Sequence, residues 1–214
     1  MLQGLSLKNV TFTIETMQGK QLVQEFGEML FTHFGISGPI VLSASYRAVD
    51  YWQKQKEPLR GIIDFKPALI PEKLDARILR EIEEQKKKQL KNSLHTLMPS
   101  KLIPVFMQRL GISPEKAMHQ ITREERQRMV QLLKNFPVTL TQARPLEEAI
   151  VTAGGVSVKE VSPKTMESKL VPGLYFTGEV LDIDGMTGGF NLQAAFSTGY
   201  LAGVACTNKD SALQ

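Results

Sequence analysis

Apolar and polar residues alternate through LSLKNVTFTIET near the start of the chain, at Leu5 and Leu7 and then at Val10, Phe12 and Ile14. The parity changes at Lys8-Asn9, which is how a bulge shows itself in a strand. TMQGKQ offers a turn through Gly19 and LVQEFGEMLFTHF returns, so the first thirty residues predict a β-hairpin. Two strands alone are not stable in water. Candidate partners are LRGIIDF (59–65) and FPVTLT (136–141), both short, β-rich and bounded by proline or charge.

Between those two segments the period becomes helical. From Pro71, suited to a first helical turn, Leu74, Ile78, Ile82, Leu90, Leu94 and Leu97 recur at three-to-four spacing, with EEQKKKQ on the opposite side as a solvated face. Ser100 opens a further helix that Gly111 closes, and Ser113-Pro114 starts a short one. Thr122-Arg123-Glu124-Glu125 is a capping box before RQRMVQLLKNF. At Pro145 the character shifts. PLEEAIVTAGGVSV leads to GLYFTGEV, glycine density rises, and the chain closes on the polar TNKDSALQ, too polar to pack.

Composition narrows the classes. With 214 residues, 42% of them hydrophobic, the chain can bury an ordinary core in one large or two small domains. The 26 basic and 22 acidic residues leave a net charge of +4 spread along the chain, a weak reason to invoke nucleic acid. No apolar run is long enough to span a bilayer and the first ten residues lack a signal core, so a cytoplasmic location is expected. The lone Cys206 sits in an apolar helical run and reads as a small core residue. His33, His95 and His119 have no metal-ligand spacing, and no structural metal is expected.

The chemistry concentrates in LYFTGEVLDIDGMTGGFNLQAAFSTGYLAG, residues 174–203. Leu174, Tyr175 and Phe176 read as a strand buried on both faces, ending at Gly178 and Glu179, where open α/β sheets bind ligands. From Gly188 and Gly189 the pattern is helical, with Phe190, Ala194, Ala195, Thr198, Leu201, Ala202 and Ala205 as a small-residue apolar face. Free amides at that helix start suit an anion, or an oxygen that becomes negative. Phe190 and Asn191 stand where a P-loop would carry its lysine, which disfavours a nucleoside triphosphate. A tight strand-to-helix packing turn is the plain alternative, but Glu179, Asp182, Asp184, Asn191 and Gln193 are more polar equipment than such a turn requires.

These residues resemble the second FAD-binding motif of flavoproteins with two dinucleotide-binding domains. Taken with GEMLFTHFGISGP (27–39) and TAGGV (152–156), the sequence is similar to the BaiN-like, or aminoacetone-oxidase-like, NAD(P)/FAD-dependent oxidoreductases over nearly its whole length. The resemblance implies an α+β chain. Residues 1–145 would be an inserted, substrate-side domain of a small barrel-like sheet plus a helical cluster. Residues 146–207 would be the C-terminal segment of an α/β FAD-binding domain, and 208–214 a polar tail. It implies that Glu179 holds the flavin ribityl chain, with Gly178 permitting close approach. Gly188 and Gly189 would start the helix under the flavin pyrimidine, whose negative charge their amides would stabilise. Asn191 and Gln193 would fill polar positions of the motif, and Asp182 and Asp184 would make ring-edge or loop contacts, Asp184 reading equally as a turn residue. Gly154 and Gly155 would let the chain pass the flavin. Thr32, His33 and Ser37 would line the substrate side, His33 as a proton donor or simply as a hydrogen-bonded structural histidine.

The sequence has no G-x-G-x-x-G and no opening Rossmann unit, which in this family seats the FAD pyrophosphate. The expectation is therefore part of a hydride-transferring flavoprotein. NAD(P)H or an organic donor would be the reductant and an organic small molecule or oxygen the acceptor, with an N-terminal Rossmann segment as the partner. Alone, the chain is expected to lack tight FAD binding and turnover. One rival is a non-catalytic binding module whose inserted domain meets RNA or a protein. Another is a piece that folds only beside its Rossmann part. An acid–base hydrolase using Glu179 and Asp184 is the weakest, since nothing in the sequence fixes their separation.

Overall fold

A computed structural model of the chain describes residues 2–185 and 187–211, with side chains through Thr207. The chain divides into two compact units, residues 1–143 and 144–214.

The first unit is built on a curled antiparallel half-barrel sheet. Strands β1 (Ser6–Thr16), β2 (Gln21–Phe31), β3 (Ile36–Ser37), β4 (Leu59–Asp64) and β5 (Phe136–Leu140) lie in the order β3-β2-β1-β4-β5. The expected bulge is present. Leu7 faces Met29 and Val10 faces Gly27, with Asn9 between them at φ 53°. That extra residue keeps Leu7, Val10, Phe12 and Ile14 all buried. Helix α1 (Pro39–Lys54) follows Gly38, whose φ is 99° and where a Cβ would stand 2.9 Å from the Cα of Met29. Any side chain there would push the helix start off the sheet, so only glycine lets α1 begin so close to β2.

Helices α2 (Pro71–Glu84), α3 (Leu90–Ser93), α4 (Ile103–Leu110) and α5 (Arg123–Lys134) form the cluster. The Thr122 capping box forms in full, and Gly111 ends α4 in the left-handed region. Two expectations fail. The periodicity that runs from Leu74 to Leu97 is broken after Glu84, because residues 85–89 turn to meet 116–119. Leu90 N–H donates to Lys116 O at 2.9 Å and Met118 N–H to Lys88 O at 3.0 Å. Ser113-Pro114 begins a turn rather than a helix, and the nearest helical turn is Met118–Gln120. Thirty-one buried residues, among them Phe12, Ile63, Leu74, Ile78, Phe106 and Phe136, make one continuous core.

The second unit is thinly packed. Among the described residues its buried cluster is Val161, Met166, Leu181 and Ala202, with Val156, Tyr175, Phe176 and Leu201 half-buried against it. Residues 174–176 do not form the expected buried strand: Tyr175 makes one isolated bridge with Glu167, and Leu174 is exposed. Among the described residues no other strand pairs with this segment; Tyr175 and Phe176 are half-buried against the small cluster, but on one side only, and not as a strand covered on both faces. Helix α6 (Phe190–Ser211) turns Ala194, Ala195, Thr198, Leu201, Ala202 and Ala205 inward as expected, but Phe190 is 64% exposed. Cys206 is exposed, not a core residue, because it falls outside that inward stripe. The helical backbone runs on through Ser211 of the tail, and residues 212–214 lie outside the described residues. No helix among the described residues is long and apolar enough to cross a membrane.

Candidate functional site

In the second unit, TAGGV meets residues 179–182 to form a small ledge. Val156 N–H donates to Val180 O at 2.8 Å and Asp182 N–H to Val156 O at 2.9 Å, a single parallel bridge with Leu181. Gly155 makes the crossing feasible. Its φ is +135°, and a Cβ would stand 2.5 Å from Val180 O. Its bare backbone is therefore required by the 180–182 segment itself. Gly154, at φ +100°, has nothing within 4 Å of where its Cβ would be and borders open space.

Glu179 lies in the helical turn Gly178–Val180, and its Oε1 accepts the Thr152 N–H at 3.2 Å. That bond ties the carboxylate to the start of TAGGV while the side chain stays exposed. Gly178, at φ +68°, donates its N–H to Thr198 Oγ1 at 3.0 Å, and the same hydroxyl donates to Ala194 O at 2.7 Å. Thr198 thereby fixes the turn carrying Glu179 to α6. Sequence reasoning placed Thr198 only on an apolar face and passed over Thr152; a lone threonine gives no sequence signal for either role.

Gly188 and Gly189 both have positive φ, 116° and 91°, and lead into α6. Gly189 is the cap: its carbonyl accepts from the Gln193 N–H at 2.9 Å. The amides of Phe190, Asn191 and Leu192 then have no partner within the helix and carry its positive end. Asn191 is committed to the adjoining loop, accepting from Gly185 N–H at 2.6 Å and donating to Gly185 O at 3.0 Å. Gln193 donates to Ser197 Oγ at 3.1 Å along the helix. Asp182 and Asp184 are both exposed beside this loop. The donor set is thus one anchored carboxylate, open glycine backbone at 154 and 189, and a free helix start. Chemically, the carboxylate can accept hydrogen bonds from hydroxyls and the helix start favours negative charge.

His33 belongs to the other unit. It sits in the exposed β2–β3 turn, closed by Thr32 N–H donating to Gly35 O at 2.8 Å, with its ring edge-on to Phe34 at 5.0 Å. Among the described residues no three His, Cys, Asp or Glu side chains gather as a metal site.

Three curated proteins are similar to this chain. One is "Ribosomal RNA dihydrouridine synthase" of Haemophilus influenzae, 34% identical over 97% of the chain and 48% of the relative. Another is "3-dehydro-bile acid delta(4,6)-reductase" of Clostridium scindens, 31% identical over 92% of the chain and 48% of the relative. The third is the Escherichia coli "Ribosomal RNA dihydrouridine synthase", 34% identical over 80% and 40%. The chain spans about half the length of these relatives or less. The family described as "HI0933-like protein barrel and H2TH domain" matches residues 1–151, the half-barrel and helical cluster. On that match and these identities, the chain belongs to the HI0933-like family.

Proposed function

We propose that this chain is the barrel, helical and ring-side portion of an FAD-dependent cytoplasmic oxidoreductase that saturates a carbon–carbon double bond. The observation that carries the reading is the ledge: Glu179 held by the Thr152 amide at the start of TAGGV, with open Gly154 in the same stretch, and the positive-φ Gly188-Gly189 leading into α6. Both kinds of relative support the reaction class, because a delta(4,6)-reductase and a dihydrouridine synthase are each named for adding hydrogen across a double bond. FAD would supply hydride chemistry, with NAD(P)H as the donor and an alkene or a uracil ring as the acceptor. Glu179 would accept hydroxyl hydrogen bonds from the cofactor chain, and the first-turn amides of α6 would favour negative charge at the opposite end.

The rest of the dinucleotide-binding domain is the proposed partner of the second unit. Leu192, Phe196 and Tyr200 fall at i, i+4 and i+8 on α6 and are 64, 71 and 73% exposed. A contiguous apolar stripe of that kind marks a surface meant to be covered. The test mixes the purified chain with the half of the Haemophilus influenzae relative that it does not match, adds FAD, and follows flavin absorbance through gel filtration. Flavin co-eluting with both pieces, and lost with Glu179→Ala, is expected. Absence of both co-elution and flavin would overturn the reading. A second reading, an RNA-binding module, is favoured by charge: residues 1–143 carry 21 basic and 14 acidic groups, net +7, and residues 144–214 carry 5 and 8, net −3.

A further inference from the structure

We infer that Asp184 is a site of isoaspartate formation gated by the side chain of Asn191, independent of the flavin reading. Asp184-Gly185 is the one Asp-Gly pair in the sequence, which has no Asn-Gly. Glycine is the follower that least hinders attack of its own nitrogen on the preceding carboxyl, because no side chain shields that nitrogen. Asp184 is exposed and lies in a stretch without regular structure. Asp182, also exposed, is followed by β-branched Ile183 and serves as an internal comparison.

The chemistry needs nothing from outside but water. Gly185 nitrogen bonds to Cγ of Asp184, the protonated carboxyl loses its OH together with the amide hydrogen as water, and a succinimide ring closes. Water then opens the ring. Breaking the bond from nitrogen to Cγ restores aspartate; breaking the bond from nitrogen to the main-chain carbonyl carbon leaves the chain running through Cγ, as isoaspartate. No electrons change hands. The main chain gains one methylene in the loop that leads to Gly188-Gly189 and α6.

One side chain holds this reaction back. Asn191 Oδ1 accepts the Gly185 N–H at 2.6 Å and Asn191 Nδ2 donates to Gly185 O at 3.0 Å, so both polar groups of the attacking residue are committed. While that clamp is closed, the hydrogen bonds fix the peptide plane and keep the nitrogen from swinging onto Cγ. The clamp itself demands glycine. A Cβ at 185 would stand 3.1 Å from Asn191 Oδ1 and 3.2 Å from Phe190 Cβ. The residue that lets Asn191 close is therefore the one that makes ring closure fast once the clamp opens. Opening is cheap here: Asn191 lies in the first turn of α6, and the buried cluster of this unit is four residues among those described.

The test ages the 214-residue chain without flavin beside the free peptide of residues 180–188. Isoaspartyl carboxyls are labelled with an isoaspartyl methyltransferase and radioactive S-adenosylmethionine and located by peptide mass spectrometry. Label should fall on Asp184 and at least tenfold less on Asp182. Wild type should form it at least tenfold more slowly than the peptide, since opening must break two hydrogen bonds. Asn191→Ala should come within about threefold of the peptide. Asn191→Asp, whose carboxylate can still accept the Gly185 N–H, should stay within about threefold of wild type. Hydrogen exchange at Val156 and Asp182 establishes that the ledge survives in each variant. Should it fail in the alanine variant, wild type against peptide and Asn191→Asp against wild type still decide. Wild type as fast as the peptide, no label at Asp184 in Asn191→Ala, or equal acceleration by both substitutions would each overturn the proposal. Flavin plays no part in these rates, so this inference and the flavin reading fail separately.

Discussion

Replacing Gly155 with alanine should loosen the ledge in the second unit while leaving the first untouched. Two costs add. A non-glycine residue at φ +135° carries strain of about 1 to 3 kcal/mol. The new methyl would also stand 2.5 Å from Val180 O, 3.0 Å from the Leu181 carbonyl carbon and 3.1 Å from Asp182 N, all backbone atoms that cannot rotate aside. Forcing such a contact apart costs another 1 to 3 kcal/mol or so. Taking about 3 kcal/mol together, opening of this crossing becomes about a hundredfold easier. Native-state hydrogen exchange reads it directly at the amides of Val156 and Asp182, whose acceptors are Val180 O and Val156 O. Gly154→Ala is the control: φ is +100° but nothing lies within 4 Å, so strain alone should speed exchange by about tenfold. Protection at Phe65, bonded to Leu133 O in the first unit, should not change in either variant. If Gly155→Ala and Gly154→Ala exchange alike, the close approach is not what sets Gly155, and the account of the ledge is wrong.

Thr122→Ala removes one arm of a complete capping box, and the urea unfolding midpoint should report a loss of about 1 kcal/mol. Burial works against ionisation of Glu125, but hydrogen bonds from Lys116 and from the Thr122 amide outweigh it and hold its pKa below the ordinary carboxylate value. A lowered folded-state pKa gives stability that is present above the unfolded value and lost as pH falls through the folded one. Urea midpoints should therefore drop on the acid side of the carboxylate range, and Glu125→Gln should flatten that part of the profile. Lys134→Met leaves Asp64 without its ion pair and Leu69 O without its Lys134 donor, both partly buried, while Lys66 O keeps the Leu69 N–H; about 2 to 3 kcal/mol should be lost by the same assay. Leu192→Ser/Phe196→Ser/Tyr200→Ser should raise the solubility of the isolated chain without lowering its melting temperature, and abolish co-elution with the complementary half of the relative.

The first unit was largely legible because its signals are local. The parity change at Lys8-Asn9, the Thr122–Glu125 box and Gly111 each act within four residues, and each forms as read. What escaped depends on distant pairing. Leu90, Leu94 and Leu97 keep a helical period beyond Glu84, yet Gln89 bridges Ala117, and that tertiary pairing outweighs continuation of the helix. Cys206 and the 174–176 segment were placed by apolar neighbours, although burial needs an opposing surface that the sequence pattern alone does not guarantee. At the ledge, glycine spacing announced bare backbone but not its uses. Gly155 serves a backbone crossing and Asn191 a loop clamp, and only Gly154 and Gly189 border open space.

The unequal division of buried apolar residues among those described, thirty-one in one unit's core and four in the other's, bears on where the chain is open to proteolysis. Degradation begins where local opening is cheapest. Residues 141–145 run without regular structure at the surface between a well-founded module and a thinly packed one, so a protease meets the join and the second unit first. The fragment expected from such cleavage is the first unit, with its net charge of +7 and without the acidic counterweight of residues 144–214.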